Sequence, residues 1–281
     1  IGYVNEGEFR SKGSSGGIGK WIACELFKQG EVDSVIQVKM NERYSQTAPL
    51  YEYGVFDSYE SIAEGSKSAY YPVEMSSVIA HIKNVPGKYV VTGVHCFIKA
   101  IRLLQEEDPV LKERIRYTIG VICGHLKSKC YAEMIGWQLG VKPNDLMSLD
   151  FRKKIEGSNA KEKGVEARSI NDPQFISSDI VQNLFGTNYG EGFFKLKACD
   201  YCDDVFNETA DIVVGDAWLP EFIKDGKGNN VVIIRNKKVQ SFIDRAMNEN
   251  RLNLTEVREK DVIASQAGGF RHKRAGLSYR L

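Results

Sequence analysis

No stretch of this 281-residue chain approaches the roughly 18–20 consecutive apolar residues that a bilayer-spanning helix requires, so no membrane span is expected. Neither charge is in excess. The 38 Lys and Arg stand against 37 Asp and Glu, and a net charge of +1 gives no field that would favour nucleic acid or a membrane surface. Cysteine is sparse: Cys24, Cys96, Cys123, Cys130, Cys199 and Cys202 include only one close pair, unlike the dense disulfide framework of a small secreted domain. Internal repeats and low-complexity linkers are missing. So are the GxGxxG and Walker phosphate motifs, because no GK[ST] follows the Ser/Gly run at the right spacing. The start, Ile1-Gly2-Tyr3-Val4, has no initiator Met and no basic-then-apolar signal pattern. It reads as a chain cut from something longer, cytoplasmic, with thiols either reduced or bound to a metal or cluster.

What is present is an alternation of strand-like and helix-like segments, which argues for α/β architecture. Gly13-Ser14-Ser15-Gly16-Gly17 opens a helix that Gly30 stops, and Val32–Val38 follows as a strand. A Ser/Gly loop at a helix start offers free backbone N–H groups and close approach, which suits a phosphate; it equally makes a plain N-cap. The tyrosines at Tyr44, Tyr51, Tyr53, Tyr59, Tyr70 and Tyr71 suit packing with a bonded hydroxyl better than ligand stacking. Lys88–Gly93 and Arg116–Ile122 read as buried strands. Cys96 and Cys123 stand where these strands run out, the position at which open parallel sheets bind ligands. Cys24 and Cys130 fall inside helices. The segment 156–170 reads as a hairpin or an excursion, and Asp179–Phe185 as helical.

Cys199-Asp200-Tyr201-Cys202 is half of a four-coordinate site, just ahead of a strand that ends in Gly215-Asp216-Ala217-Trp218. Cys96 and Cys123 are the candidates for the other half. Four scattered thiols suit a [4Fe–4S] cluster, which takes one thiolate per iron. Structural zinc more often uses two knuckles, and only one is present. Four unrelated thiols are the plain alternative. The tail carries a compact basic cluster, Arg271-His272-Lys273-Arg274.

Four elements resemble one family across nearly the whole chain: the Ser/Gly helix start with the following Val32–Ile36 strand, Thr92-Gly93-Val94-His95-Cys96, Ile122-Cys123-Gly124-His125, and the CxxC with Ala210-Asp211-Ile212-Val213-Val214-Gly215-Asp216-Ala217-Trp218. The sequence is similar to the coenzyme F420 hydrogenase/dehydrogenase beta-subunit family. That resemblance implies a flavin-dependent oxidoreductase that moves electrons between a two-electron small molecule, such as reduced deazaflavin, and a [4Fe–4S] cluster through FAD. It implies Cys96, Cys123, Cys199 and Cys202 as cluster ligands. Ser14, Ser15, Gly16, Gly17, Thr92 and Gly93 would lie at the FAD, and Arg271, Lys273 and Arg274 would neutralise a phosphate or an acidic substrate tail. His95 stands where the family has Pro, and Phe97 where it has Gln. His95 would be a proton donor beside the flavin, or a hydrogen-bond partner of a thiolate. A redox partner or ferredoxin-like module is implied, and the family's upstream ferredoxin-like segment is not in this chain; oligomerisation is left open. The expected fold is α/β, a mostly parallel mixed sheet flanked by helices with a smaller C-terminal α+β part. It would form one domain over 1–281, with lobes at 1–150 and 151–281. The rival reading is a zinc-stabilised, non-redox binding domain, for example in polysaccharide biosynthesis.

Overall fold

A computed structural model describes residues 1–41, 48–65, 67–172 and 174–281; Tyr44 lies outside them. The strands are β1 (Gly2–Val4), β2 (Ser34–Met40), β3 (Tyr51–Phe56), β4 (Tyr89–Val94), β5 (Ile115–Val121), β6 (Leu146–Lys153), β7 (Gly164–Ser169), β8 (Ile176–Ile180), β9 (Ile212–Asp216), β10 (Asn230–Ile234) and β11 (Leu252–Leu254). Eight form one sheet in the order β11-β1-β10-β9-β5-β4-β2-β3. Its centre, β2, β4, β5 and β9, is parallel. The flanking pairs on both sides are antiparallel. The fold is therefore α/β, with a mixed sheet covered by helices.

The central strands are near-continuous apolar runs because both faces are buried. Alternate residues serve opposite sides. Val35, Val90 and Ile212 pack with Trp21, Ile22 and Leu26 of the Ile18–Lys28 helix and with Val239 and Phe242 of the Lys237–Asn248 helix. Ile36, Val91 and Val213 pack on the other face, against Ile82 of the Ser76–Asn84 helix and Ile98 and Ile101 of the His95–Glu107 helix. A third cluster, including Tyr131, Ile135, Leu149, Phe151 and Val165, joins the Lys129–Gln138 helix to a separate antiparallel sheet, β6-β7-β8. No helix among the described residues is long and apolar enough to cross a membrane.

The smaller sheet departs from the expected local structure. Residues 164–169 form its middle strand, and β8 occupies 176–180 where the sequence suggests the start of a helix; only a single 3₁₀ turn, Val181–Asn183, follows. Five paired residues on β7 supply a ladder for β8 that its polar sequence, Ile-Ser-Ser-Asp-Ile, does not advertise. Position 150 falls within β6, and strands from both sides of it share the large sheet.

Two devices align the thiol-bearing loops. Lys127 bridges Lys195, Ser128 N–H donates to Phe194 O at 2.8 Å, and Leu196 N–H donates to Leu126 O at 3.0 Å. These bonds lay the approach to the CxxC beside the loop that follows Cys123. Asn207, fully buried with a φ of 51°, clamps the ends of β4 and β5: its Nδ2 donates to Gly93 O at 3.0 Å and to Val121 O at 3.4 Å. Gly120 leaves the room, since a Cβ there would lie 2.6 Å from Asn207 Cγ.

Asn207→Gly keeps the left-handed backbone accessible but removes the clamp from two carbonyls. A loss of about 1–3 kcal/mol is expected from urea unfolding, the usual cost of unsatisfied buried groups. An unchanged midpoint would show that the clamp is idle.

Candidate functional site

The carboxyl ends of β4, β5 and β9 open onto a cleft of about 1700 Å³. Its walls include the Ser/Gly loop, Thr92 and Gly93, Cys123 to Lys127, Arg152, Lys163, Asp216, Trp218, Arg271 and His272. Pockets for small organic ligands are typically about 300–1,000 Å³, so there is room for a dinucleotide and a second molecule.

At one end, Gly13, Ser14, Ser15 and Gly17 face the cleft. Gly17 takes φ 87° as the cap of the Ile18–Lys28 helix, a left-handed conformation suited to glycine. Gly16 packs behind the loop, where a Cβ would meet Gly2 O at 2.6 Å and Asn230 Oδ1 at 2.8 Å. Several groups in this loop are already engaged. Ser14 Oγ accepts from Ser68 N–H at 2.8 Å, Ser15 Oγ donates to Asn229 O at 3.0 Å, and Ile18 N–H donates to Asn230 Oδ1 at 3.1 Å. The positive charge comes instead from side chains that the linear pattern does not reveal. Lys20, Lys67, Arg152 and Lys163 line this part of the cleft. Burial, then Lys67 nearby, push the Lys20 ammonium down to about 8; burial, then Arg152, push Lys163 down as well. Crowded, partly desolvated cations of this kind are relieved by a bound anion.

Arg152 is the hub of this end. Its Nη2 binds both Asp216 oxygens, at 3.1 and 3.0 Å, and Ser14 O at 3.3 Å; its Nη1 donates to Tyr70 OH at 3.1 Å. The pair is well buried, and although burial works against the guanidinium, Asp216 and Tyr70 hold it charged. Asp216 is thus anchored, and its backbone oxygen accepts from Gln266 Nε2 at 2.7 Å, while Trp218 N–H donates to Ser265 Oγ at 2.9 Å. Tyr70 combines this bond with aromatic packing on Phe151, Tyr131 and Tyr189.

The other end holds sulfur. His95, at the start of the helix after β4, has Nδ1 3.5 Å from Cys202 Sγ, and the thiols of Cys123 and Cys96 are near enough to act on its charge. Cys199, on the Lys197–Tyr201 turn, lies in the electrostatic reach of Cys123 and Cys96. Cys96, exposed in the first turn of the helix after β4, and Cys123, Cys199 and Cys202 thus come from three chain segments into one neighbourhood, with Cys123 alone of the four on the cleft wall. Cys199 Sγ accepts from Leu126 N–H at 3.3 Å. Burial pushes the Cys202 thiol up, but His95 and Lys273 outweigh it and bring it to about 7, within reach of the thiolate that ligation needs. Cys24, by contrast, is buried in the core and pushed up to about 12, and Cys130 is an exposed helix residue. A single zinc ion holds thiolates about 3.8 Å apart, given Zn–S bonds of about 2.3 Å in a tetrahedron. Among the described residues no three His, Cys, Asp or Glu side chains are grouped to share one ion.

Both His95 ring nitrogens are engaged inside the protein. Nδ1 lies 3.5 Å from Cys202 Sγ, and Nε2 meets Lys273 Nζ and, at 3.2 Å, Cys123 O. The tail cluster is split. Lys273 is 1% exposed and faces the thiols, Arg271 lines the cleft, and Arg274 pairs with Glu208 on the surface at 2.5 Å. Thr92 Oγ1, His125 Nε2 and His272 Nε2 are buried without partners in residues that line the cleft. His125 stacks on Tyr189 with centroids 4.0 Å apart; burial, then Lys127 and Lys195, hold its ring neutral with a pKa near 3.

Family models for the coenzyme F420 hydrogenase/dehydrogenase beta subunit match here: the N-terminal model over residues 1–80 and the C-terminal model over residues 87–260. Among solved structures, a chain of the F420-reducing [NiFe] hydrogenase complex from Methanosarcina barkeri, determined as a xenon derivative, is similar with a TM-score of 0.69. The match covers 99% of this chain and 90% of that one, at 16% identity, which speaks for the shared fold. No curated protein sequence matches.

Arg152→Met strands Asp216 without its cation, and a loss of about 3 kcal/mol is expected on unfolding in urea. Arg152→Met combined with Asp216→Leu should recover most of it. Equal losses in the single and double variants would mean that the pair is not the source.

Proposed function

Because the chain belongs to the coenzyme F420 hydrogenase/dehydrogenase beta-subunit family, we propose that it is an oxidoreductase subunit that uses FAD and a [4Fe–4S] cluster to pass electrons between a two-electron small molecule and a redox partner. The observation that carries this reading is the single cleft with a cation-rich Ser/Gly wall at one end and Cys123, one of four converging thiols, at the other. When bound, a flavin exchanges electrons in pairs or singly and a cluster exchanges them singly.

The residues present fit both groups. Lys20 and Lys163 would hold phosphate oxygens beside Ser14 and Gly17, Lys67 would share its ammonium between them and Asp150, and Arg152 keeps that loop in position. Buried polar groups without partners need a ligand atom or water, and Thr92, His125 and His272 each supply one. Cys96, Cys123, Cys199 and Cys202 would hold the cluster, with Leu126 N–H donating to one sulfur and His95 and Lys273 to another. The buried Lys273 ammonium compensates negative charge that accumulates on the thiolates. Arg271, at the cleft wall, suits an acidic tail on the substrate; a reduced deazaflavin is the candidate. The similarity to a chain of a hydrogenase complex supports work within a multi-subunit assembly, with a ferredoxin-like module or partner taking the electrons. A cytoplasmic location follows from thiols that must stay reduced to bind a cluster.

Anaerobically purified protein should show flavin absorbance near 450 nm with a broad iron–sulfur shoulder, and Cys202→Ser should lose iron and acid-labile sulfide while retaining flavin. Colourless protein carrying one zinc would sink the proposal, and full iron content in Cys202→Ser would refute the ligand set.

A further inference from the structure

We propose that Lys273 and His95 act as positioning residues that raise the reduction potential of the centre held by Cys202, so that it accepts an electron more readily than its thiolates alone would allow. This rests on the iron–sulfur reading above and goes beyond it, since the ligand set itself says nothing about potential.

Lys273 lies on a widened helical turn, Arg271–Ala275, closed by a bond from Gly276 N–H to Arg271 O at 2.9 Å, five residues back. Such π-type turns are rare and recur at functional sites. Here the turn puts Lys273 inside, 1% exposed, while Arg271 and Arg274 remain at the surface. Its Nζ donates to Asp204 O at 2.7 Å and to Cys202 Sγ at 3.4 Å, and it also contacts His95 Nε2. No carboxylate among the described residues forms an ion pair with it. A buried ammonium without a carboxylate is costly unless another anion faces it, and the sulfur ligands are the anion on offer.

His95 extends the same arrangement. Its Nε2 lies against Lys273 Nζ and 3.2 Å from Cys123 O. Its Nδ1 faces Cys202 Sγ at 3.5 Å. Cys202 Sγ thus has the Lys273 ammonium and one His95 ring nitrogen against it. One-electron reduction adds a negative charge to the centre. A fixed cation and N–H donors at a ligand sulfur stabilise the reduced form, the more so in a low dielectric.

The test is a potentiometric series on the anaerobic full-length protein, followed by EPR and visible absorbance, comparing wild type with Lys273→Met, Lys273→Arg and His95→Gln. Lys273→Met and His95→Gln are expected to shift the cluster to more negative potential, Lys273→Met further, while Lys273→Arg stays close to wild type. An unshifted Lys273→Met with full cluster content overturns the proposal. Should Lys273→Met fail to hold the cluster, an unshifted His95→Gln overturns it. Loss of the cluster from both, with Lys273→Arg still loaded, overturns it in favour of a purely structural role. A wild type without any cluster instead refutes the functional reading beneath it.

Discussion

The buried guanidinium of Arg152 is the joint on which the site depends. It reaches from the smaller sheet to the Ser/Gly loop, to Tyr70 and to Asp216 at the carboxyl end of β9. It works beside the Lys67–Asp150 pair at 2.6 Å and Lys154 Nζ, which donates to Ser15 O at 3.1 Å, in tying the smaller sheet to the wall of the cleft. Burying such a pair contributes little net stability, but breaking one half is expensive. Arg152 therefore fixes where the loop stands relative to the strand ends more than it strengthens the fold.

A second constraint comes from the parallel centre of the sheet. Parallel strands deliver their carboxyl ends to one edge, where the first turn of the helix after β4 carries Cys96 and the loop after β5 carries Cys123. Asn207 holds those two ends with one side-chain amide, and the Lys127–Lys195 bridge brings the CxxC alongside. The thiols lie far apart in sequence and meet because the topology returns each segment to the same edge. Lys273 then closes the cluster of sulfurs from the tail, and the proposed electron path runs from the cleft into this corner.

Much of this was legible in the sequence, for identifiable reasons. The buried strands and amphipathic helices have strong periodicity, and a cysteine at a strand end stands out against an apolar run. Gly215-Asp216-Ala217-Trp218 was visible as a pattern, but the partner of Asp216 was not, because Arg152 is one of several basic residues at the end of a strand. The inward turn of Lys273 was equally hidden. It depends on one extra residue in a helical turn, and its two exposed neighbours, Arg271 and Arg274, suggest a solvated cluster. Asn207 reads as an ordinary loop residue until its αL backbone and the missing side chain of Gly120 are seen together. Of the helix expected over residues 179–185, the first two residues end β8, where a paired neighbour outweighs local preference at a sheet edge, and Val181–Asn183 form a 3₁₀ turn.

The most direct test of the central claim, that Cys96, Cys123, Cys199 and Cys202 form one iron–sulfur centre, is anomalous diffraction at the iron edge from anaerobically grown crystals. The account predicts iron density enclosed by these four sulfurs with Lys273 beside Cys202. A zinc-edge peak at this position, or iron held by any other residues, would contradict it.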